Sequence, residues 1–315
     1  MTITGKKLIS IVSPAYNEAE NVPLMIEEVK KVMETLSEKY DFEYIIVNDG
    51  SVDNTWDVIV DETKKDGRIK GICLSRNFSH QIALTAGLDN ATGDAVIYCD
   101  SDLQHPPEIF PKLIQEWENG SFVVHTYRRS TEGEPVFKKI MSNLFYQFVN
   151  LFSNVKIEKG MADFKLLDKS VLDKLKVMRE HNRFLRGLVP WVGYSSSRVE
   201  YSARKRLHGK PWYNLKRNLS FAKSGVLAFS VEPLKYIGYL GIFLTSASIL
   251  ILIFGAVAYL VTREWYLSPV FLIGIFNTFL MGLVLSSLGI MALYITYIYY
   301  EVLNRPLYIV SKRTF

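Results

Sequence analysis

Cysteine is nearly absent from this chain of 315 residues: there are two, Cys73 and Cys99, both inside apolar, strand-like stretches. That excludes a disulfide framework and leaves no activated thiol nucleophile, so both are expected to be reduced and packed. Compact basic tracts are missing too. The 37 Lys and Arg against 32 Asp and Glu leave a net charge of +5 that is spread along the chain. This argues against a nucleic-acid partner and suits anionic lipid and phosphate. No internal repeat or low-complexity linker is present, and the short polar start, Met1 to Lys7, lacks the apolar core of a cleavable signal peptide. The scarcity that says most is of charge itself: there is none from Tyr236 to Val261 and none from Trp265 through Tyr300.

Each of those uncharged runs exceeds the roughly 20 residues needed to cross a bilayer core. Two membrane helices are therefore expected, the first over Ile237 to Val261 and the second within Pro269 to Tyr299, joined by Thr262-Arg263-Glu264. Lys210, Lys216, Arg217, Lys223 and Lys235 precede the first span, and Arg305, Lys312 and Arg313 follow the second, with only Arg263 between them. Both termini should then face the cytoplasm, in a cell-membrane protein with two spans. Trp212 to Phe229 is amphipathic, with Lys216, Arg217 and Lys223 beside an apolar stripe, and suits an interfacial collar. The expected organisation is a cytosolic domain over 1–211, a juxtamembrane region over 212–232 and a two-span domain with a short tail over 233–315.

Before the collar, strand-like and helical periods alternate. Strands are expected at Leu8 to Ser13, Tyr44 to Asn48, Ile69 to Leu74, Ala95 to Tyr98 and Phe122 to Tyr127. Helices are expected at Pro23 to Leu36, Thr55 to Lys64, Gln81 to Leu88 and Glu108 to Glu118. Such alternation predicts an α/β fold with a mostly parallel, helix-covered sheet. The first helix has Asn21 as its cap, Pro23 in its first turn and one apolar stripe of Val22, Met25, Ile26, Val29, Val32, Met33 and Leu36. Val136 to Phe152 has a very apolar face behind Lys138 and Lys139, and fits either a membrane-surface helix or a core helix.

The chemistry concentrates where strands end. Asp100 and Asp102 stand one residue apart after the Ala95 to Tyr98 strand, ahead of Pro106-Pro107, where open α/β sheets bind ligands. Two hard oxygen donors there favour Mg²⁺ or Mn²⁺ bridged to phosphate. Tyr16 offers a ring to a nucleobase, Glu18 and Asp49 offer acceptors, and Gly50 permits a turn. Arg128 and Arg129 follow a strand and could clamp a lipid phosphate. His80, His105 and His208 are either metal ligands or phosphate donors, or plain loop histidines.

Six segments also carry a resemblance: Pro14-Ala15-Tyr16-Asn17-Glu18, Asn48-Asp49-Gly50-Ser51, Ser75-Arg76-Asn77-Phe78, Asp100-Ser101-Asp102-Leu103-Gln104, Ala162-Asp163-Phe164-Lys165-Leu166 and Arg206-Leu207-His208-Gly209. With a tail ending in Asn304-Arg305-Pro306-Leu307-Tyr308, the sequence resembles the family 2 glycosyltransferases of the GT-A fold, specifically the polyprenyl-phosphate branch that includes dolichol-phosphate mannose synthases and bactoprenol glucosyltransferases. The resemblance implies that Pro14, Tyr16, Glu18, Val47 and Asp49 hold the nucleoside. Asp100, Ser101, Asp102 and Gln104 would handle the metal and sugar diphosphate, with Asp100 and Asp102 as the metal ligands. Arg128 and Arg206 would meet the lipid phosphate; Arg129 joins them by its place beside Arg128, and Lys210 or Lys216 could stand in for the family lysine that is missing at Trp212. Asp163, Asp102 and Arg128 form the implied catalytic set, with Asp163 on the acceptor side either orienting hydroxyls or acting as a base. Three departures stand out: Ser79 where such proteins usually have glycine, Pro211-Trp212 where they have Ser/Thr-Lys, and Asn48 where an aspartate is common.

The expected function is therefore metal-dependent, inverting transfer of a hexose from a nucleotide sugar to a polyprenyl phosphate. UDP-glucose or another UDP-hexose is the first donor expected, and GDP-mannose stays open. A processive polysaccharide synthase shares the donor half, but no Gln-x-x-Arg-Trp motif is present. A catalytically silent, membrane-anchored binding protein is the rival from another class. The expected partners are nucleotide sugar, polyprenyl phosphate and membrane; self-association is left open.

Overall fold

A computed structural model describes residues 5–129, 160–204 and 269–315, together with positions 253, 257 and 260. Its chain alternates β1 (Lys7–Ala15), α1 (Asn21–Leu36), β2 (Tyr40–Asn48), α2 (Thr55–Lys65), β3 (Ile69–Leu74), α3 (His80–Asn90), β4 (Ala95–Tyr98), α4 (Phe110–Glu118) and β5 (Val123–Arg128). β6 (Met161–Asp168), α5 (Lys169–Val177), α6 (Leu185–Trp191), β7 (Ser196–Tyr201), α7 (Pro269–Leu303) and β8 (Val310–Arg313) follow. The strands form one eight-stranded sheet in the order β7-β5-β6-β4-β1-β2-β3-β8. β1 is parallel to β2 and β4, β2 to β3, and β5 to β7. β6 runs antiparallel between β4 and β5, and β8 runs antiparallel along β3. The sheet is mostly parallel α/β with the GT-A arrangement, as expected.

Strand order matters for function. From β1 the chain winds one way through β2 to β3, and β4 then takes the other flank of β1. That reversal opens a crevice at the carboxyl ends of β1 and β4. Its walls are rigid because the strands are packed on both faces: Ile9, Ile11, Val12, Ile45, Val47, Val96 and Ile97 are wholly buried.

The stripe on α1 behaves as its spacing predicts, with Val22, Met25, Ile26, Val29, Val32 and Met33 buried. At about 1.5–3 kcal/mol for each fully buried large apolar side chain, this face anchors the helix. Asn21 is not the cap. The turn begins earlier, because the Glu18 carbonyl accepts the N–H groups of both Asn21 and Val22, and Asn21 becomes the first helical residue.

The chain divides into two units. One comprises residues 1–151, 155–225 and 306–315, and the other 152–154 and 226–305. Pro306 to Phe315 thus belongs with the sheet. Ser75 N donates to the Ile309 carbonyl at 2.9 Å, Thr314 N to the Gly71 carbonyl at 3.1 Å, and the Tyr308 hydroxyl to Asp89 at 2.8 Å. In the second unit, α7 is a 35-residue helix covering the second expected span. Among the described residues no helix is long and apolar enough to cross a membrane. Several α7 side chains fall outside that description, and the helix sequence has no charge before Glu301. The first expected span lies outside the described residues apart from helical positions 253, 257 and 260, as do the stretches Val136 to Phe152 and Trp212 to Phe229.

Candidate active site

Hydrogen bonds between loops build the crevice. The Ser101 hydroxyl donates to the Pro14 carbonyl at 2.9 Å, so the loops after β4 and β1 are tied together. Asn17 N donates to Ser51 Oγ at 2.9 Å and Val52 N to Asn17 Oδ1 at 3.0 Å, which ties the loop after β1 to the loop after β2. Asp49 is buried and accepts N–H groups from Phe78 at 2.8 Å and Ser79 at 3.1 Å. Burial raises its pKa more than those two bonds and the nearby His80 and Arg76 lower it. Gly50 beside it has φ 65°, and a Cβ there would lie 2.3 Å from the Arg76 carbonyl carbon, so no other residue fits.

The loop of residues 75–79 ends in strain. Ser79 has φ 90° and ψ 153°, a region essentially reserved for glycine that costs about 1–3 kcal/mol. The missing family glycine is thus felt in the backbone. Ser79→Gly should stabilise the chain by about 1 kcal/mol, read as a raised unfolding midpoint; a lowered midpoint would contradict the strain.

The Asp100 carboxylate lies at the centre. Its Oδ1 is 2.6 Å from His80 Nε2, and its backbone N–H donates to His105 Nδ1 at 3.0 Å. Burial pushes the Asp100 pKa up, but His105 and His80 together pull it well below the usual carboxylate range. Burial also opposes charge on His80, yet Asp100 outweighs it and lifts the ring to about 9. His105 braces the loop, stacking on Phe164 at 5.2 Å. Asp102, half-buried, accepts from Gln104 N at 3.1 Å. Among the described residues no three His, Cys, Asp or Glu side chains cluster to hold a metal. Two carboxylates alone fit an ion that completes its oxygen shell with diphosphate and water rather than one caged by protein.

Asp163 faces the same region from β6. Arg186 Nε on α6 donates to Oδ1 at 2.8 Å and Gln81 Nε2 to Oδ2 at 3.4 Å. Burial raises the Asp163 pKa, but Arg186 overrides it and the net shift is downward. Gln81 is the residue after His80, so the start of α3 touches Asp100 and Asp163 with consecutive side chains.

Several expected residues have other duties. Val47 is wholly buried within β2, so its side chain cannot face a nucleoside. Glu18 is nearly buried, with Oε2 accepting from Asn21 Nδ2 at 2.5 Å. Pro14 is buried and Tyr16 half-exposed. Gln104 accepts the Arg204 N–H through its backbone carbonyl at 3.3 Å. Arg129 pairs with Glu200 at 3.3 Å, whereas the Arg128 guanidinium forms no hydrogen bond or ion pair among the described residues. Arg206 and Lys210 lie outside the described residues. Arg186 and Gln81 were not anticipated; the only signal is a lone cation in the apolar run Phe184-Leu185-Arg186-Gly187-Leu188.

A GT-A sheet with an Asp-x-Asp loop at its switch point is the frame of a glycosyltransferase. Residues 10–176 match the family described as glycosyl transferase family 2, and the chain belongs to that family. It is 39% identical over 303 residues to the uncharacterized glycosyltransferase YkcC of Bacillus subtilis (strain 168), covering 96% of this chain and 93% of that one. It is 36% identical over 312 residues to the bactoprenol glucosyl transferase of Shigella phage SfII, covering 96% and 97%. A solved mannosyltransferase, PcManGT from Pyrobaculum calidifontis in complex with GDP-Man and Mn²⁺, shares 14% identity over 90% of this chain and 88% of that one, at a TM-score of 0.46. At that distance nothing about its ligands transfers.

Proposed function

We propose that this glycosyltransferase moves a hexose from a nucleoside diphosphate sugar to a polyprenyl phosphate at the cytoplasmic face of the membrane, with UDP-glucose the first donor to test. One observation carries the reading: His80 and Gln81 hold Asp100 and Asp163 in a single frame, so a donor diphosphate and an acceptor can be set against each other. The full-length similarity to bactoprenol glucosyl transferases supports that choice of acceptor and sugar.

In this reading an oxygen of the acceptor phosphate attacks the anomeric carbon, the bond from that carbon to the diphosphate oxygen breaks, and the nucleoside diphosphate leaves with inversion. A phosphate monoester with a second pKa of about 6 is largely dianionic at neutral pH, so little proton removal is needed. Asp163, with both oxygens engaged and its pKa lowered, suits an orienting role better than that of a base. Asp100 and Asp102 would hold Mg²⁺ or Mn²⁺, which would neutralise charge on the leaving diphosphate.

The membrane part of the proposal rests on α7. Val270, Ile273, Val284, Leu288, Ile295 and Ile298 are each at least half exposed along it, an arrangement that water penalises and lipid does not. With a first span over Ile237 to Val261, both termini would be cytoplasmic.

Membranes carrying the chain, given undecaprenyl phosphate and radiolabelled UDP-glucose, UDP-GlcNAc or GDP-mannose, should form a solvent-extractable lipid-linked sugar. Insoluble polymer would favour a processive synthase, and no product with any donor would favour a silent binding protein. Arg128→Ala should raise KM for the lipid about tenfold while the donor KM holds. An effect confined to the donor would move Arg128 to the sugar-diphosphate side.

A further inference from the structure

Behind the candidate active site lies a row of three buried polar side chains that the chemistry above does not use. Tyr98 on β4 pairs in register with Lys165 on β6, and Lys165 with His125 on β5. Tyr98 and Lys165 are wholly buried and His125 is 7% exposed. The Tyr98 hydroxyl and His125 Nδ1 have no hydrogen-bond partner among the described residues. Among the described residues the Lys165 ammonium, with three N–H groups to place, meets one acceptor, the Met161 thioether at 3.6 Å.

Stability does not account for this lysine. Burying an ammonium without oxygen acceptors is costly, and apolar replacements of similar size for buried charges are often neutral or stabilising. Its neighbour supplies a reason. Asp163 is two residues away on the same strand, close enough for its carboxylate to act electrostatically on the ammonium. Arg186 already holds that carboxylate at 2.8 Å. A second cation makes the surroundings of an acidic side chain net positive, which matters if a dianionic phosphate must lie beside it.

We propose that Lys165 is a positioning residue for the acceptor: from its buried place beside Asp163, its ammonium offsets the carboxylate so that a phosphate oxyanion can approach without being repelled. This inference rests on the glycosyl-transfer reading. Burial lowers the Lys165 pKa and Asp163 works against that, leaving it at about 8, so the ammonium persists at neutral pH. His125 stays neutral beside it, its pKa lowered to about 3 by burial and by Lys165.

The test compares the full-length wild type, Lys165→Met and Lys165→Arg in detergent micelles with UDP-glucose and undecaprenyl phosphate. Lys165→Met should unfold at or above the wild-type temperature and bind UDP as the wild type does. Its kcat/KM for the lipid should fall about 10- to 100-fold while the donor KM holds, and Lys165→Arg should recover most of the loss. Wild-type kcat/KM in Lys165→Met, or equal losses in the two variants with native unfolding temperatures, would overturn the inference. If Lys165→Met does not fold, Lys165→Gln carries the same comparison, and unfolding of both would make the residue structural and overturn it as well. A wild type that forms no lipid-linked sugar with UDP-glucose, UDP-GlcNAc or GDP-mannose would instead sink the functional reading on which the inference stands.

Discussion

Asp102→Asn is expected to leave a folded protein whose turnover has fallen by about 10³-fold or more. Asp102 is half-buried and accepts a backbone N–H from Gln104 at 3.1 Å, a bond that an asparagine oxygen can also accept. The turn is therefore expected to survive. What disappears is one of the two formal charges at the end of β4, and with it half of the pair proposed to hold a divalent ion. The comparison is made on purified wild type and variant by circular dichroism, unfolding temperature and initial rate against added Mn²⁺. Full activity in the variant without added metal would contradict the role given to the pair.

The second large effect is expected at the ion pair between Arg186 and Asp163. Their side chains are 18% and 10% exposed, so Arg186→Ala leaves a nearly buried carboxylate without its guanidinium. Removing one partner of a buried pair costs about 3–5 kcal/mol, against at most about 1 for a surface pair. Asp163→Asn should be milder for stability and slow turnover about 10²-fold or more, since the amide oxygen can still accept from Gln81 while the charge proposed to serve the acceptor is lost. In the double variant the stability losses should not add, with a coupling of about 1–3 kcal/mol in urea unfolding. Additive losses would mean that the ion pair is not what fixes Asp163.

Much of the candidate site's edge was legible in the sequence. β1 to β4 carry apolar runs and alternate with helices of which α1, α2 and α4 are amphipathic, and a β-strand's carboxyl end followed by Asp-x-Asp reveals itself within a few residues. The two cysteines are buried and free, as their apolar surroundings suggested. Less was visible after residue 160. β7 has alternating burial with charged positions Arg198 and Glu200, and β8 is Val-Ser-Lys-Arg, so neither carries an apolar pattern. Both depend on a partner strand far away in the chain, β5 for one and β3 for the other. Asp49 is expected at the ligand from its position on the edge, and Ser101 from the family resemblance. In the fold the Ser101 hydroxyl is donated to Pro14 and the Asp49 oxygens accept from Phe78 and Ser79, since tight loops must satisfy their own backbone groups first.

The sequence by itself determined the class of fold, the placing of acids at strand ends and the two uncharged runs, because periodicity, turn residues and charge act over a few neighbours. Tertiary structure alone decided which distant groups meet: His80 on Asp100, Gln81 and Arg186 on Asp163, and Lys165 enclosed between Tyr98 and His125. Those meetings follow from strand order and helix packing, and an electrostatic partner is chosen by distance in space, on which separation along the chain has no bearing.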